Sequence, residues 1–301
     1  MKNISQQYIY PRILLTGGTG QLGWELKLAL KLLGAVWTPI RQEFDLANPE
    51  SLRDKIRDYK PDLIVNPGAY TAVDQAESES DRAYTVNADA PGVLAEEANR
   101  LKIPMIHYST DYVFDGTKGN PYTEKDKPTP LNVYGSTKLA GELAIQQAHD
   151  QYLILRTSWL YSLRRNNFLM TIRRLLSDQD SISVVADQQG TPTWARTLAE
   201  TSALALEQLH KECQQDDFHS RILHLVPEGN TNWFEFARII AGIMGGKARC
   251  CRIRSIKTDD YPTAARRPAD TRLSNQGFQN RFMVKLPEWE KALHHCMNDL
   301  D

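Results

Sequence analysis

The stretch R-I-L-L-T-G-G-T-G-Q-L-G, residues 12–23, constrains the fold more than any other. A short apolar run leads straight into a glycine-rich turn. A helical pattern follows, with apolar positions at 22, 26, 29, 30 and 33 on one face. Gly17, Gly20 and Gly23 read as G-x-x-G-x-x-G, and Gly18, Gly20 and Gly23 also fit G-x-G-x-x-G. Both spacings let the chain turn tightly out of a strand, bring backbone close to a pyrophosphate, and pack helix on strand with no side chain between. The helix start offers unpaired N–H groups to phosphate, which makes Gln21 and Leu22 cofactor contacts with the three glycines. A turn of purely structural purpose is the alternative, and the strand–turn–helix context disfavours it.

The rhythm continues. Strands are expected at Val36–Ile40, Leu63–Asn66, Met105–Ser109 and Tyr152–Arg156. Helices are expected at Pro49–Tyr59 (capped by Asn48), Pro91–Leu101 and Val133–Ala148. Alternation of this kind predicts an α/β fold, a Rossmann-like doubly wound parallel sheet. After Arg156 the pattern loosens: Ile182–Ala186 and Arg221–Leu225 read as strands, Thr197–His210 and Trp233–Met244 as helices. The expected division is a dinucleotide-binding domain over 1–158, with 187–210 returning to it, and a smaller C-terminal substrate-binding lobe over 159–301.

Charged residues make up 24% of the chain but sum to a formal net charge of −1, so nothing favours nucleic acid as a partner. No apolar run is long enough for a bilayer, and the first dozen residues lack the apolar core of a signal peptide. The expectation is a cytoplasmic protein. Cys213, Cys250, Cys251 and Cys296 form no C-x-x-C pair or metal-ligand spacing, and the adjacent pair reads as packing residues.

Past the second strand, an NAD-binding protein tends to carry an acidic residue for the ribose 2′-hydroxyl. Arg41 stands there instead, and a guanidinium suits a 2′-phosphate, so NADPH is favoured while NADH stays open. Arg41 pointing to solvent is the plainer alternative. Asp45 and Leu46 are expected near the adenine, and Gly68, Ala69 and Tyr70 beside the cofactor past the third strand. Tyr134 and Lys138 are four residues apart, hence one helical turn apart on one face. A phenol is a poor acid–base group at neutral pH, and a neighbouring ammonium lowers its pKa. Thr110, at the C-terminal end of a parallel strand, is placed to orient a substrate oxygen.

Taken in order, T-G-G-T-G-Q-L-G, S-T-D-Y-V-F-D-G and Y-G-S-T-K resemble the extended short-chain dehydrogenase/reductase superfamily. Within it, P-D-L-I-V-N, T-A-V-D-Q-A-E, R-T-S-W-L-Y, D-Q-Q-G-T-P-T and Y-P-T-A-A-R-R-P-A-D-T-R-L are similar to the dTDP-4-dehydrorhamnose reductase family. The resemblance implies NADPH-dependent reduction of the 4-keto group of dTDP-4-dehydro-L-rhamnose. It makes Thr110, Tyr134 and Lys138 the catalytic set, with Lys138 also on the nicotinamide ribose. Val73, Thr110, Asp111 and Trp159 would meet the sugar, and Arg267 is the candidate for the diphosphate. Trp159 suits the methyl face of a deoxysugar and equally an ordinary core position.

Some members of that family dimerise through a magnesium ion held by glutamates. Glu25 and Glu290 resemble two of those ligands, but Arg196 stands at the third position, where a cation opposes a divalent metal. No magnesium and a monomer or weak homodimer are therefore expected. Two other readings stay open: another sugar-nucleotide epimerase or dehydratase, and a non-catalytic regulatory homologue. A dehydratase is expected to carry an acidic pair after the Ser/Thr, whereas Asp111 is followed here by Tyr112.

Overall fold

A computed structural model describes residues 10–215, 218–249 and 252–299. The N-terminal residues 1–9 and the Cys250–Cys251 pair lie outside them.

Five strands, β1 (Arg12–Leu15), β2 (Ala35–Trp37), β3 (Leu63–Asn66), β4 (Met105–Thr110) and β5 (Tyr152–Thr157), join a sixth, Arg221–His224, in one parallel sheet. The order is sixth–β5–β4–β3–β1–β2. The chain therefore steps outward from β1 to β2 and then reverses to β3 on the other side. At such a reversal the crossover helices part and leave a crevice at the carboxyl ends of the strands.

β3 and β4 are buried along their whole length, as central strands covered on both faces must be. Alternate residues feed the two faces. Ile13, Leu15, Val65 and Ile106 pack with Leu22 and Leu26 of the helix Gln21–Ala29. Leu14, Ile64 and Met105 pack on the opposite side with Leu52, Ile56 and Leu94. Leu198, Leu206 and Leu209 of the helix Ala195–Gln214 and Phe278 of Gln276–Phe282 join the first face. A separate apolar core gathers Tyr161, Leu169, Trp194, Phe236, Ile240, Trp289 and Leu293.

Most expected elements appear within a residue or two of their expected limits; Val133–Ala148 and Trp233–Met244 match at both ends. Three differ. The second strand stops at Trp37, short of Ile40, because Pro39 cannot donate to a ladder. The helix Glu50–Tyr59 has Pro49 as its N-cap and no side-chain cap, so Asn48 does not cap it; the Asn48 carbonyl instead accepts from the Ser51 hydroxyl. The helix expected over Thr197–His210 runs from Ala195 to Gln214.

Candidate active site

The carboxyl ends of β1, β3, β4 and β5 open into a cleft with two chambers that share Gly17, Thr19, Gly68, Ala69 and Thr71. One, of about 400 Å³, lies toward β2. The other, of about 760 Å³, reaches into the second half of the chain.

The glycine turn does what its sequence demands. Gly17 sits at φ +57°, and a Cβ there would come within 2.8 Å of the Gly68 Cα. A Cβ on Gly23 would lie 2.1 Å from the Gly17 carbonyl oxygen. The backbone is thus drawn in to form a groove at the start of the Gln21–Ala29 helix. Beside it, Arg41, Asp45 and Leu46 line the smaller chamber with Gly68, Ala69 and Tyr70. Arg41 therefore borders the cleft, with its guanidinium 3.3 Å from the Asp45 carboxylate.

The larger chamber brings together Thr110, Asp111, Tyr134, Lys138, Val73 and Trp159. Each is placed by local structure. Thr110 ends β4, and its hydroxyl accepts from Tyr112 N–H at 3.1 Å and donates to Asp111 at 3.0 Å. Tyr134 and Lys138 lie on the helix Val133–Ala148, whose Asn132 cap accepts from Gly135 N–H at 2.8 Å. A Cβ on Gly135 would strike the Tyr112 carbonyl at 2.1 Å, so this glycine lets the helix start close against the residues after Thr110. Tyr112 and Tyr134 meet edge to face at 5.9 Å.

Burial dominates the electrostatics. It pushes the Tyr134 phenol up to about 12, the Thr110 hydroxyl acting the other way and the Asp111 charge adding to the rise. It brings the Lys138 ammonium down to about 7 against an opposing pull from Glu142, and raises the Asp111 carboxyl to about 7. The expected lowering of the phenol by Lys138 does not appear. The lysine nitrogen donates instead to the Tyr108 carbonyl at 2.7 Å and lies 3.0 Å from His107 Nε2. Tyr134 accordingly holds its proton at neutral pH, the state a proton donor needs.

Of the residues nominated from sequence, Arg267 is not brought to the cleft lining. Its guanidinium spans the Asp74 carboxylate at 2.9 and 2.7 Å and also donates to the Ala265 carbonyl. Sequence reasoning missed several lining residues. Trp233 stacks on Trp159 with ring centroids 3.5 Å apart and 8° between planes, and Phe168 lies against Trp233. Trp159 itself adopts φ +44°, a left-handed conformation that a bulky residue keeps only when its surroundings enforce it. It walls the chamber. Arg165 donates to the Thr19 carbonyl at 3.0 Å, and Asn167 to the Gln21 side chain at 2.7 Å, closing the second half onto the glycine turn. The N-N-F run after R-T-S-W-L-Y was the available signal, since Asn167 caps the helix Phe168–Asp178.

These features define a Rossmann-like dinucleotide-binding protein with Thr110, Tyr134 and Lys138 gathered beside its glycine turn. The chain belongs to the RmlD substrate binding domain family, whose model matches residues 11–301. It is 45% identical to the dTDP-4-dehydrorhamnose reductase of Burkholderia thailandensis over 294 residues, covering 96% of this chain and 99% of that one. Identity to the Escherichia coli K12 protein of the same name is 40%, covering 96% and 97%. The crystal structure of the Bacillus anthracis dTDP-4-dehydrorhamnose reductase in complex with NADP superposes with a TM-score of 0.87 at 31% identity, covering 96% and 99%.

Proposed function

We propose that this chain reduces the 4-keto group of dTDP-4-dehydro-L-rhamnose to give dTDP-L-rhamnose, using NADPH. The observation that carries the reading is the meeting of Thr110, Tyr134 and Lys138 in one buried chamber that opens directly onto the Gly17–Gly23 turn. The fit to the cofactor rests on this cleft: glycines that let its backbone draw in where a Cβ would clash, a helix start facing it and a guanidinium at its far end. The turn would hold the pyrophosphate, Arg41 the 2′-phosphate, and Tyr134 with Lys138 the nicotinamide ribose. Bound there, NADPH supplies a hydride to the carbonyl carbon.

The protein's own part is to hold the sugar and deliver a proton. The Thr110 hydroxyl donates to the keto oxygen and orients it. Tyr134 gives its phenolic proton to that oxygen, so hydride and proton together make the alcohol. Lys138, whose nitrogen bonds the Tyr108 carbonyl and His107 rather than the phenol, would serve the nicotinamide ribose. Trp159 and Trp233 offer a flat apolar wall for the deoxysugar methyl group, and Val73 and Asp111 complete the pocket. Tyr112 occupies the place where a dehydratase is expected to carry its second carboxylate, and its ring packs on Tyr134. The reductase is thereby favoured over elimination chemistry, and the intact Thr110–Tyr134–Lys138 set favours an enzyme over a regulatory homologue. In the same reading residues 1–158 form the cofactor domain, 159–301 mainly the sugar lobe, and the protein is cytoplasmic. No helix among the described residues is long and apolar enough to cross a membrane.

The test is consumption of reduced cofactor with the dTDP and UDP 4-keto sugars, each with NADPH and NADH. Fastest turnover is expected with the dTDP sugar and NADPH. Arg41→Ala should raise the KM for NADPH about 10-fold and leave that for NADH within about 2-fold, as loss of one charge-assisted contact predicts. Equal effects on both cofactors would remove Arg41 from the 2′-phosphate.

Arg196 shapes the expected assembly. Its guanidinium lies 3.3 Å from the Glu25 carboxylate, is also paired with Asp299, and covers the Trp194 ring, while Glu290 is exposed. A cation paired with Glu25 opposes a divalent metal at that carboxylate. We therefore expect a monomer or weak dimer whose sedimentation is the same in magnesium and in EDTA. A dimer that falls apart in EDTA would overturn this.

A further inference from the structure

We propose that His107 is a positioning residue for Lys138, holding the lysine nitrogen in place whether or not it carries a proton, with the ring itself fixed by Asn66 and Thr16. The proposal deepens the reductase reading and rests on it.

His107 lies within β4 and is 1% exposed, as is Lys138. Its Nε2 is 3.0 Å from Lys138 Nζ, and its Nδ1 is 3.0 Å from the Asn66 side-chain amide. The other end of that amide meets the Thr16 hydroxyl, which accepts from Gly68 N–H at 3.2 Å. One buried chain of polar groups thus runs from the lysine to the backbone beside the glycine turn.

Donor and acceptor counts decide what this chain can do. An ammonium only donates, and a neutral imidazole has one donor and one acceptor. With Lys138 charged, Nε2 accepts from Nζ, and Nδ1–H donates to the Asn66 carbonyl oxygen, the amide NH₂ turning to Thr16. With Lys138 uncharged, Nε2–H donates to the Nζ lone pair, and the Asn66 NH₂ donates to Nδ1. The two ends of an amide occupy the same space, so both arrangements fit one set of atomic positions. In either state each nitrogen of the ring and of Lys138 has a partner. A carboxylate at this position would fix the lysine as a buried ion pair. An apolar side chain would leave Nζ with the Tyr108 carbonyl alone. Burial also drives the imidazole well below its ordinary pKa, keeping it neutral as both arrangements require.

The other charged or titratable groups around Lys138 are few. Tyr134 and Glu142 lie on its own helix, Glu142 being paired with Arg156 of β5, and Asp111 lies beyond Tyr134. Of the ionisable side chains, only the His107 ring is within hydrogen-bond distance of Nζ among the bonds described.

The experiment compares His107→Leu and His107→Gln with the parent. It measures kcat and KM across pH, and NADPH affinity by fluorescence without the sugar. Leu should lower kcat about 10- to 100-fold with the KM for the keto sugar within about 3-fold, the signature of lost positioning rather than lost binding. It should also move the basic limb of the kcat profile to lower pH by about half a unit or more, because an ammonium that loses an acceptor gives up its proton more readily. Gln, which can accept or donate near the same point, should restore most of both. His107→Asn, too short to reach Nζ, replaces Leu if the latter does not fold. A Leu variant with kcat within about 2-fold of the parent and an unmoved limb overturns the proposal. So do Leu and Gln variants that are equally slow and equally lowered in Tm. If the parent itself fails to reduce the sugar, the reductase reading falls and NADPH affinity decides: weaker binding by Leu than by Gln supports the role of His107, and equal binding overturns it.

Discussion

Tyr134→Phe is expected to cut turnover of the keto sugar by about 10²- to 10⁴-fold, the range over which a positioned acid acts, while the Kd for NADPH rises by no more than about 10-fold, the cost of one hydroxyl contact to the ribose. The substitution removes one hydroxyl and little else. The ring is held by its edge contact with Tyr112, and helix placement depends on Asn132 and Gly135, which are untouched. Loss of rate with retained binding therefore isolates the transferable proton. The buried phenol, at about 12, is protonated throughout the neutral range, so the parent needs no pH adjustment to reach its donor state. Lys138 and Asp111 are the groups whose charges change there, both at about 7. Cofactor consumption in stopped flow reads the rate, and fluorescence quenching reads the binding. Equal rates for the two proteins would remove Tyr134 from the chemistry.

What the sequence revealed follows from how local the cause is. The glycine turn and the Tyr134–Lys138 spacing are demands made within a few residues of chain. They were legible because the backbone approach at Gly17 and the common helical face at 134 and 138 do not depend on distant partners. Thr110 was legible because a parallel strand must deliver its carboxyl end to the cleft. The distant pairings were not. Nothing near Lys138 in sequence says that its nitrogen turns to His107 and Tyr108 on β4 rather than toward Tyr134, which leaves burial to raise the phenol. Trp233 lies far from Trp159 in sequence, so a stack of the two became visible only in three dimensions. Arg267 shows the same limit from the other side. An arginine in the string Y-P-T-A-A-R-R-P-A-D suggested an anion, and the anion it meets in this structure is Asp74, nearly two hundred residues earlier. The helices Phe168–Asp178 and Trp289–Asn298 had readable spacings at 169, 172, 176 and at 289, 292, 293, 296, 297, yet they follow irregular segments that hid their starts.

The same separation in sequence governs the largest expected stability effect, at Glu142. Its two carboxylate oxygens accept from Arg156 Nε at 2.8 Å and Nη2 at 2.6 Å, with 0% and 3% of the two side chains exposed. The pair fastens the helix that carries Tyr134 and Lys138 to β5, and the guanidinium also lies 5.2 Å over the Phe114 ring. Removing one partner strands a buried charge, so Glu142→Ala should cost about 3–5 kcal/mol of unfolding free energy. Removing both charges is a different operation. Glu142→Leu with Arg156→Met fills similar volume with apolar atoms and should recover most of that loss, because the desolvation of two ions is no longer needed. Function should not recover with it. The Glu142 carboxylate is what holds the Lys138 ammonium up against burial, so both variants should lose charge on Lys138 at a lower pH than the parent does. Urea unfolding of the three proteins, set beside their kcat–pH profiles, separates the two roles. A single variant that loses less than about 1 kcal/mol would show that the helix is held by its apolar packing alone. A double variant with the parent's pH profile would show that Glu142 supports the fold and not the proton chemistry.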